Sequence, residues 1–306
     1  TFIYDYTAED IQGTVFGYLI RQYDEAVNVK WFGAYSDGTH GDETTTAIQN
    51  AINIGKTIFF PYGTYKCTNT ILISEAHKII YGEPYTTIDF TTLADYVNGF
   101  QLGNGSGLYV RDITFENLTI NGKGSAIAGT GIIHKDSVNY SSGDQIKYLT
   151  ERIVLKNVQL TNWYYGFRSG LFAKLDFYGS QFNGCKYGQR VANGAGASWT
   201  DCTWSGNENG LYIQSSAHLN INAGEANGNS NIAIWLETCS IGIYGLGLEQ
   251  NTKQGIRISN PVSVVLENID LSANAYGTNK FIECTSTSLA NQNIKIGSLY
   301  YTPQGT

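Results

Sequence analysis

Apolar and polar residues alternate in six segments that recur along the middle of the chain: Val154-Asn162, Asp176-Gly184, Ser198-Gly206, Asn220-Gly228, Gly242-Gln250 and Val265-Ala273. Aligned on Leu160, Phe182, Trp204, Ala226, Leu248 and Leu271, they step by 22, 22, 22, 22 and 23 residues. Two further columns keep pace: Leu155, Phe177, Trp199, Ile221, Ile243, Leu266, and Val158, Ser180, Cys202, Gly224, Leu246, Ile269. Second strands follow at Gly166-Phe167, Gly188-Gln189, Gly210-Leu211 and Gly255-Ile256. An earlier copy, Phe115-Ile120, matches Leu155-Leu160 at a separation of 40, which predicts a loop insertion within Asn121-Arg152. Period-two alternation predicts strands with one buried face. A propeller blade needs about 40 residues or more per repeat. A unit of 22 residues with short strands and Gly or Asn corners fits one coil of a parallel β-helix. Coils stacked ~4.8 Å apart bring residues one repeat apart into vertical columns.

A solenoid has to block its open end. Asp42-Ile52 carries apolar residues at 47, 48, 51 and 52 behind an N-cap Asp42, which predicts an amphipathic capping helix ended by Gly55. Thr57-Phe60, Pro61-Gly63 and Thr64-Lys66 read as strand, turn and strand. In Thr1-Val27 the box Thr7-Ala8-Glu9-Asp10 and the stripe Ile11, Val15, Phe16, Leu19, Ile20 predict another helix, packed on the β-helix end or on sister chains. The chain thus divides into a helical neck (1–27), a cap (28–55), a β-helix (56–275) and a last coil or the start of a C-terminal region (276–306).

Charge removes some functions. Nineteen Lys and Arg against 26 Asp and Glu leave a net charge of −7, the wrong sign for a nucleic-acid surface. No segment approaches the roughly 20 apolar residues of a membrane helix. Five scattered cysteines (Cys67, Cys185, Cys202, Cys239, Cys284) form no metal-ligand pattern and read as free buried thiols, in keeping with assembly in a reducing compartment. No metal or other cofactor is expected. A chain that begins at Thr1 and holds no Met reads as an excised or processed segment.

The motif Val29-Lys30-Trp31-Phe32-Gly33-Ala34, then Asp37-Gly38, Asp42 through Ala51-Ile52, Phe60-Pro61 and Gly63-Thr64-Tyr65 resembles the opening of the pectate-lyase-like superfamily, in the form found in bacteriophage tailspikes and capsular depolymerases. The resemblance is detailed over about residues 28–73 and loose to about 275. It implies a right-handed parallel β-helix, a homotrimer, and binding of a bacterial surface polysaccharide. It also implies a virion component assembled in the host cytoplasm, acting at the bacterial surface and joined to other tail proteins. The Asn-Thr-Asp, Asp-Asp and Arg-Ile-Lys elements of polygalacturonases are lacking; Arg257-Ile258-Ser259 is no adequate substitute. A lyase-type calcium-binding Asp cluster is not evident either. The site is therefore argued from the columns.

Glycoside hydrolysis needs two carboxylates, ~5–5.5 Å apart in retaining enzymes and ~6.5–9.5 Å in inverting ones. The outward column before the aligned position runs Gln159, Gln181, Thr203, Glu225, Gly247, Asp270, and the one after it Thr161, Asn183, Ser205, Asn227, Glu249, Ser272. Glu225 and Glu249 are then one coil and two residues apart, a Cα separation of roughly 8 Å. Gly247 leaves room beside them, with Asp270 and Asp201 in flanking coils. Either this is a catalytic pair or two solvated surface acids. A second column holds Arg168, Arg190, Tyr212 and Arg257, with Trp235 and Glu237 from a coil that slips by about a residue. It reads as a groove for an acidic polysaccharide, its rings offering faces to sugars and its guanidiniums forks to carboxylates, or as salt bridges to Asp176, Asp201 and Glu237. Trp163, Tyr164 and Tyr165, at a corner, either bind sugar or pack beneath the insertion.

Two function classes follow. One is a depolymerase that hydrolyses a surface polysaccharide through paired carboxylates, with a lyase using His134 or a Tyr as base a further possibility. The other is a non-catalytic sugar-binding or spacing fibre.

Overall fold

Alternating residues make strands here because each three- to six-residue run buries every second side chain, and the glycines and asparagines between the runs turn the chain. The computed structural model describes residues 2–5, 18–21, 26–103, 110–135, 149, 151–271, 280–286 and 293–300. Its strands form three long parallel sheets of eleven, ten and nine strands. Successive strands go to the first, second and third sheet in turn, as with Glu151–Lys156, Gln159–Thr161 and Tyr165–Ser169, so each coil is a triangular turn. The protein is a parallel β-helix.

The register is the one the columns require. Leu160, Phe182, Trp204, Ala226 and Leu248 pair in succession on the second sheet. Leu155, Phe177, Trp199, Ile221, Ile243 and Leu266 do so on the first. All are fully buried. Phe177 stacks on Trp199 with centroids 5.5 Å apart and 8° between the planes. The indole N–H groups of Trp199 and Trp204 both donate to Oε1 of the buried Gln189, at 2.8 and 2.9 Å. The insertion is split: Thr130–His134 lies inside it and pairs as a third-sheet strand.

Corners repeat as strictly as strands. Between the first and second sheets, Asn117, Asn157, Gly179, Asp201, Ala223, Gly245 and Asn268 all take φ between 51° and 66°. At the start of the third-sheet strands, coils approach so closely that a Cβ on Gly188 would lie 2.6 Å from the Gly210 carbonyl, and one on Gly210 2.3 Å from that of Ala233. Hence this column holds Gly or Ala. At the neighbouring corner Asn207, Asn229 and Asn251 stack inside the barrel. Asn229 Oδ1 accepts from both N and Nδ2 of Asn207 at 3.1 Å, and its own Nδ2 donates to the Trp204 carbonyl (3.0 Å) and to Asn251 Oδ1 (2.9 Å).

The cap is α1 (Gly41–Ile54), which buries Ala47, Ile48, Ala51 and Ile52 on the first coil. His40, in a left-handed conformation, precedes it, and Asp42 lies in its first turn, where a carboxylate suits the helix dipole. Lys78, only 2% exposed, closes the other end: its Nζ donates to the Ile52 and Gly55 carbonyls, each at 2.8 Å. The helix expected near the N-terminus is not found where it can be judged. Leu19 and Ile20 belong to the strand Tyr18–Arg21, antiparallel to Phe2–Asp5, and residues 6–17 lie outside the described residues. At the other end Lys280–Thr285, Asn293–Ile296 and Leu299–Tyr300 add one strand to each sheet, so the coiling continues past residue 275. No helix among the described residues is long and apolar enough to cross a membrane.

Four cysteines are buried and all five are free. Burial pushes the thiols of Cys185, Cys202 and Cys239 up to about 12 and that of Cys67 higher still. Cys284 is exposed. A thiol reagent should therefore label one cysteine in the native protein and five after denaturation, as counted by mass spectrometry. Rapid native labelling of two or more would contradict this burial.

Candidate functional site

The second sheet carries the carboxylates. Strand Glu225–Asn227 pairs with Gly247–Glu249, matching Glu225 with Gly247 and Asn227 with Glu249. Both acids point outward from strands whose central residues, Ala226 and Leu248, are buried. Their Cα atoms are offset by one coil and two residues, roughly 8 Å. Asn227 joins them: its Nδ2 donates to Glu225 Oε2 at 2.8 Å, and its Oδ1 accepts from the Glu249 backbone N–H at 3.3 Å. Asp270 pairs with Gly247 and so stands in the Glu225 column, two coils from it. Gly247 carries no side chain between them, and a Cβ there would stand 3.7 Å from Glu225 Cγ. Asp201 is not on this face. Its φ of 52° puts it at the corner between the first and second sheets, where Asp is one of the few residue types that tolerate the left-handed region.

The Glu225 column continues toward the cap as Thr203, Gln181, Gln159 and Thr119. Their side chains form a polar track: Gln159 Nε2 donates to Gln181 Oε1 at 2.9 Å, and the Thr119 hydroxyl to Gln159 Oε1 at 3.3 Å. Toward the cap the track opens into a depression of about 380 Å³ rimmed by Tyr85, a ring 88% exposed. Hydroxyl and amide groups along a groove with an exposed aromatic ring are suited to sugars.

The arginines and rings lie on the third sheet, which follows the second around each coil. Glu225–Asn227 and Ile232–Glu237 are consecutive strands joined by residues 228–231, so the two clusters occupy neighbouring faces rather than one. Arg168, Arg190, Tyr212, Trp235 and Arg257 pair in unbroken register. The expected slip is absorbed elsewhere. Asn207 and Asn229 are bonded 22 residues apart, whereas Asn209 pairs with Ile232, 23 apart; the extra residue therefore lies at Ser230-Asn231, before the strand begins.

Ring orientation differs from expectation. Tyr212 and Trp235 stack on each other at 4.4 Å and 24°. The Arg190 guanidinium covers Tyr212 at 5.2 Å, and that of Arg257 covers Trp235 at 5.0 Å. Both ends of the two-ring stack are thus capped by cations, and sugar stacking on these two rings is blocked. The Tyr212 hydroxyl donates to Glu237 Oε2. Burial and this carboxylate hold the phenol well above its usual range, so it stays protonated. Tyr165, at the corner singled out in the sequence, and Tyr187, which sequence reasoning passed over, extend the ladder with centroids 5.1 Å apart, and Arg168 lies over Tyr165 at 4.9 Å. Their 22-residue spacing was the available signal. Tyr164 tilts against Tyr165 and Tyr187, with Lys186 over its ring at 4.9 Å.

The expected salt bridges are not formed. Asp176 lies on the first sheet and pairs with Lys174 at 3.0 Å. Among the described residues, no ion pair involves Arg168, Arg190 or Arg257. Trp163 is 1% exposed; its indole N–H donates to the Ile120 carbonyl at 3.0 Å and its ring packs on Phe90, so it is a core residue with no face for a sugar.

His134 is also fully buried, which removes it as a base for elimination. Burial holds its imidazole down to about 4. Below its unfolded value of about 6.5 the unfolded chain takes up a proton there that the folded chain refuses. Its stabilising share is present above pH 6.5 and fades as pH falls to about 4, a loss of about 3 kcal/mol. Denaturant unfolding between these limits should show this loss in the native sequence and a flatter curve in His134→Gln. Parallel curves would contradict it.

No curated protein sequence matches the chain. Residues 26–98 match the family model described as rhamnogalacturonase A/epimerase, pectate lyase-like, in agreement with the resemblance of the opening motif. In structure the chain is similar to tailspike protein 2 of the Escherichia coli O157:H7 bacteriophage CAB120, with a TM-score of 0.72 and 17% identity over 96% of this chain and 44% of that one. The tailspike of Acinetobacter baumannii phage AM24 gives a TM-score of 0.60 at 11% identity, over 97% of this chain and 55% of that one. The A-module of the Azotobacter vinelandii mannuronan C-5 epimerase AlgE4 gives 0.56 at 16%, over 91% and 97%. The likeness is one of fold, and this chain spans less than half the length of the CAB120 tailspike.

Proposed function

We propose that this chain is the β-helical part of a phage tailspike that binds and depolymerises a bacterial surface polysaccharide, with Glu225 and Glu249 as the catalytic pair. One observation carries the reading: the register sets two outward carboxylates one coil and two residues apart, with Gly247 between them and Asn227 bonded to the Glu225 carboxylate and the Glu249 backbone. In hydrolysis one carboxylic acid gives its proton to the glycosidic oxygen. The other carboxylate either attacks the sugar's anomeric carbon or takes a proton from the attacking water. The polar track from Thr119 to Thr203 would hold the remaining sugars along the second sheet, with Asp270 beyond the pair. A homotrimer displayed on the virion, attached through neck residues to other tail proteins, belongs to the same reading.

A fixed panel of capsular and O-antigen polysaccharides incubated with the protein tests it. Shortened chains with new reducing ends are expected from one of them. New chain ends that are unsaturated uronates would move the reaction to elimination. Binding to one polymer with no shortening of any would favour the alternative, a sugar-binding fibre. A specific observation supports that alternative: the carboxylates and the arginine column lie on different faces.

A further inference from the structure

The third sheet presents a feature that cleavage on the second sheet does not use. Three half-buried guanidiniums stand on one outward column of a chain whose net charge is −7. Two carboxylates stand near the column, and one of them, Glu283, is beside Arg257 in the register. Glu237 accepts from the Tyr212 hydroxyl, and Glu283 from Gln254 Nε2. The cations are held instead by the rings beneath them, which fixes their position without neutralising their charge. Arg168 and Arg190 are neighbours across one coil step, ~4.8 Å of axial rise. Burial and, with it, the charge of Arg190 depress the Arg168 guanidinium below its usual range, a cost that an anion beside the pair would relieve. Arg257 is three coils beyond Arg190, ~14 Å along the axis. Its Nε, and Nε1 of Trp235, are buried without an acceptor. Buried donors without an acceptor are uncommon in folded proteins and call for an explanation.

We infer that the third sheet is a second polysaccharide site, separate from the carboxylate pair, which reads anionic groups on a chain running along the helix axis. This rests on the polysaccharide reading and narrows it to a polymer carrying carboxylates. Two adjacent anionic groups meet Arg168 and Arg190, and a third, three coils away, meets Arg257. Between them the closed stack of Tyr212 and Trp235 contributes rigidity rather than a stacking face. Recognition by charge on this face and bond cleavage on the next would let the protein hold a long polymer while cutting it.

The test uses polygalacturonate, its fully methyl-esterified form and dextran as probes, with binding measured by calorimetry in dilute buffer and again in about 0.5 M salt, where exposed charges are screened. The expected result is at least tenfold tighter binding of polygalacturonate than of the ester or dextran, lost in high salt. Arg168→Gln with Arg190→Gln, and separately Arg257→Gln, should each remove tenfold or more, while Arg190→Lys retains part. Thermal melting of each variant shows whether it is folded, and Arg257→Gln tests the far end even if the double variant is not. Equal affinity for acid and ester, or folded variants that bind as before, would overturn the proposal. So would variants that change sedimentation but not binding, since the face would then join copies of the chain. The readout is binding alone, so a failed cleavage pair leaves it intact, and lost charge selectivity leaves the cleavage reading intact.

Discussion

Glu225→Gln and Glu249→Gln are each expected to slow depolymerisation by about 10²- to 10⁴-fold, the usual worth of a positioned acid or base. Glutamine keeps the shape and the hydrogen bond with Asn227, so the loss falls on proton transfer or nucleophilic attack rather than on folding. Affinity for the polymer should change little, because the track formed by Thr119, Gln159 and Gln181 is untouched. Glu267→Gln is the control: it removes a partly exposed carboxylate from the first sheet and should leave the rate unchanged. Initial rates of reducing-end release measure all three. If both Gln variants turn over at the normal rate, the catalytic assignment is wrong.

Asn229→Ala is expected to cost about 3–5 kcal/mol of stability, from several buried partners left bare at ~1–3 kcal/mol each. Asn207 loses the acceptor for both its backbone N–H and its Nδ2, and the Trp204 carbonyl loses a donor. None of these groups can turn to water, since Asn207, Asn229 and Asn251 are all buried. The side chain also ties three successive coils together, so its removal weakens the stacking on which a solenoid depends. Asn222→Ala, on an exposed first-sheet position, should cost less than about 0.5 kcal/mol. Denaturant unfolding compares the two, and equal stabilities would show that the internal ladder contributes nothing.

The axial coordinate of nearly every residue in the coils was legible in the sequence, because inward side chains of one column must all be apolar or satisfied. That constraint aligned Leu160 with Phe182, Trp204 and Ala226, and it set Glu225 against Gly247. Which face a column occupies was less legible, since a spacing of 22 is blind to the corners inside each coil. Glu225 and Arg190 lie on adjacent sheets, a placement that the spacing alone does not give. Asp201 kept the spacing of an outward residue and proved to be a corner, as its column of mostly Asn and Gly residues, all at positive φ, explains. Ring orientation was not legible either. Whether Tyr212 offers its face to solvent depends on what precedes and follows it along the axis, and here Arg190 and Trp235 take both sides. For Trp163 the sequence left two readings, a sugar face or packing beneath the insertion, and the adjacent glycines, Gly122 and Gly131, decide for packing by leaving it a place in the core. Near the N-terminus, Leu19 and Ile20 fit a helical stripe as well as a strand, and pairing with Phe2–Asp5 decides between them.

The most direct measurement is a crystal structure of the Glu225→Gln protein soaked with an oligosaccharide from the polymer it shortens. The expected density follows the second sheet from Tyr85 toward Asp270, with the bond to be cleaved above Gly247 and between positions 225 and 249. Sugar bound only elsewhere, with those positions open to solvent, would contradict the account.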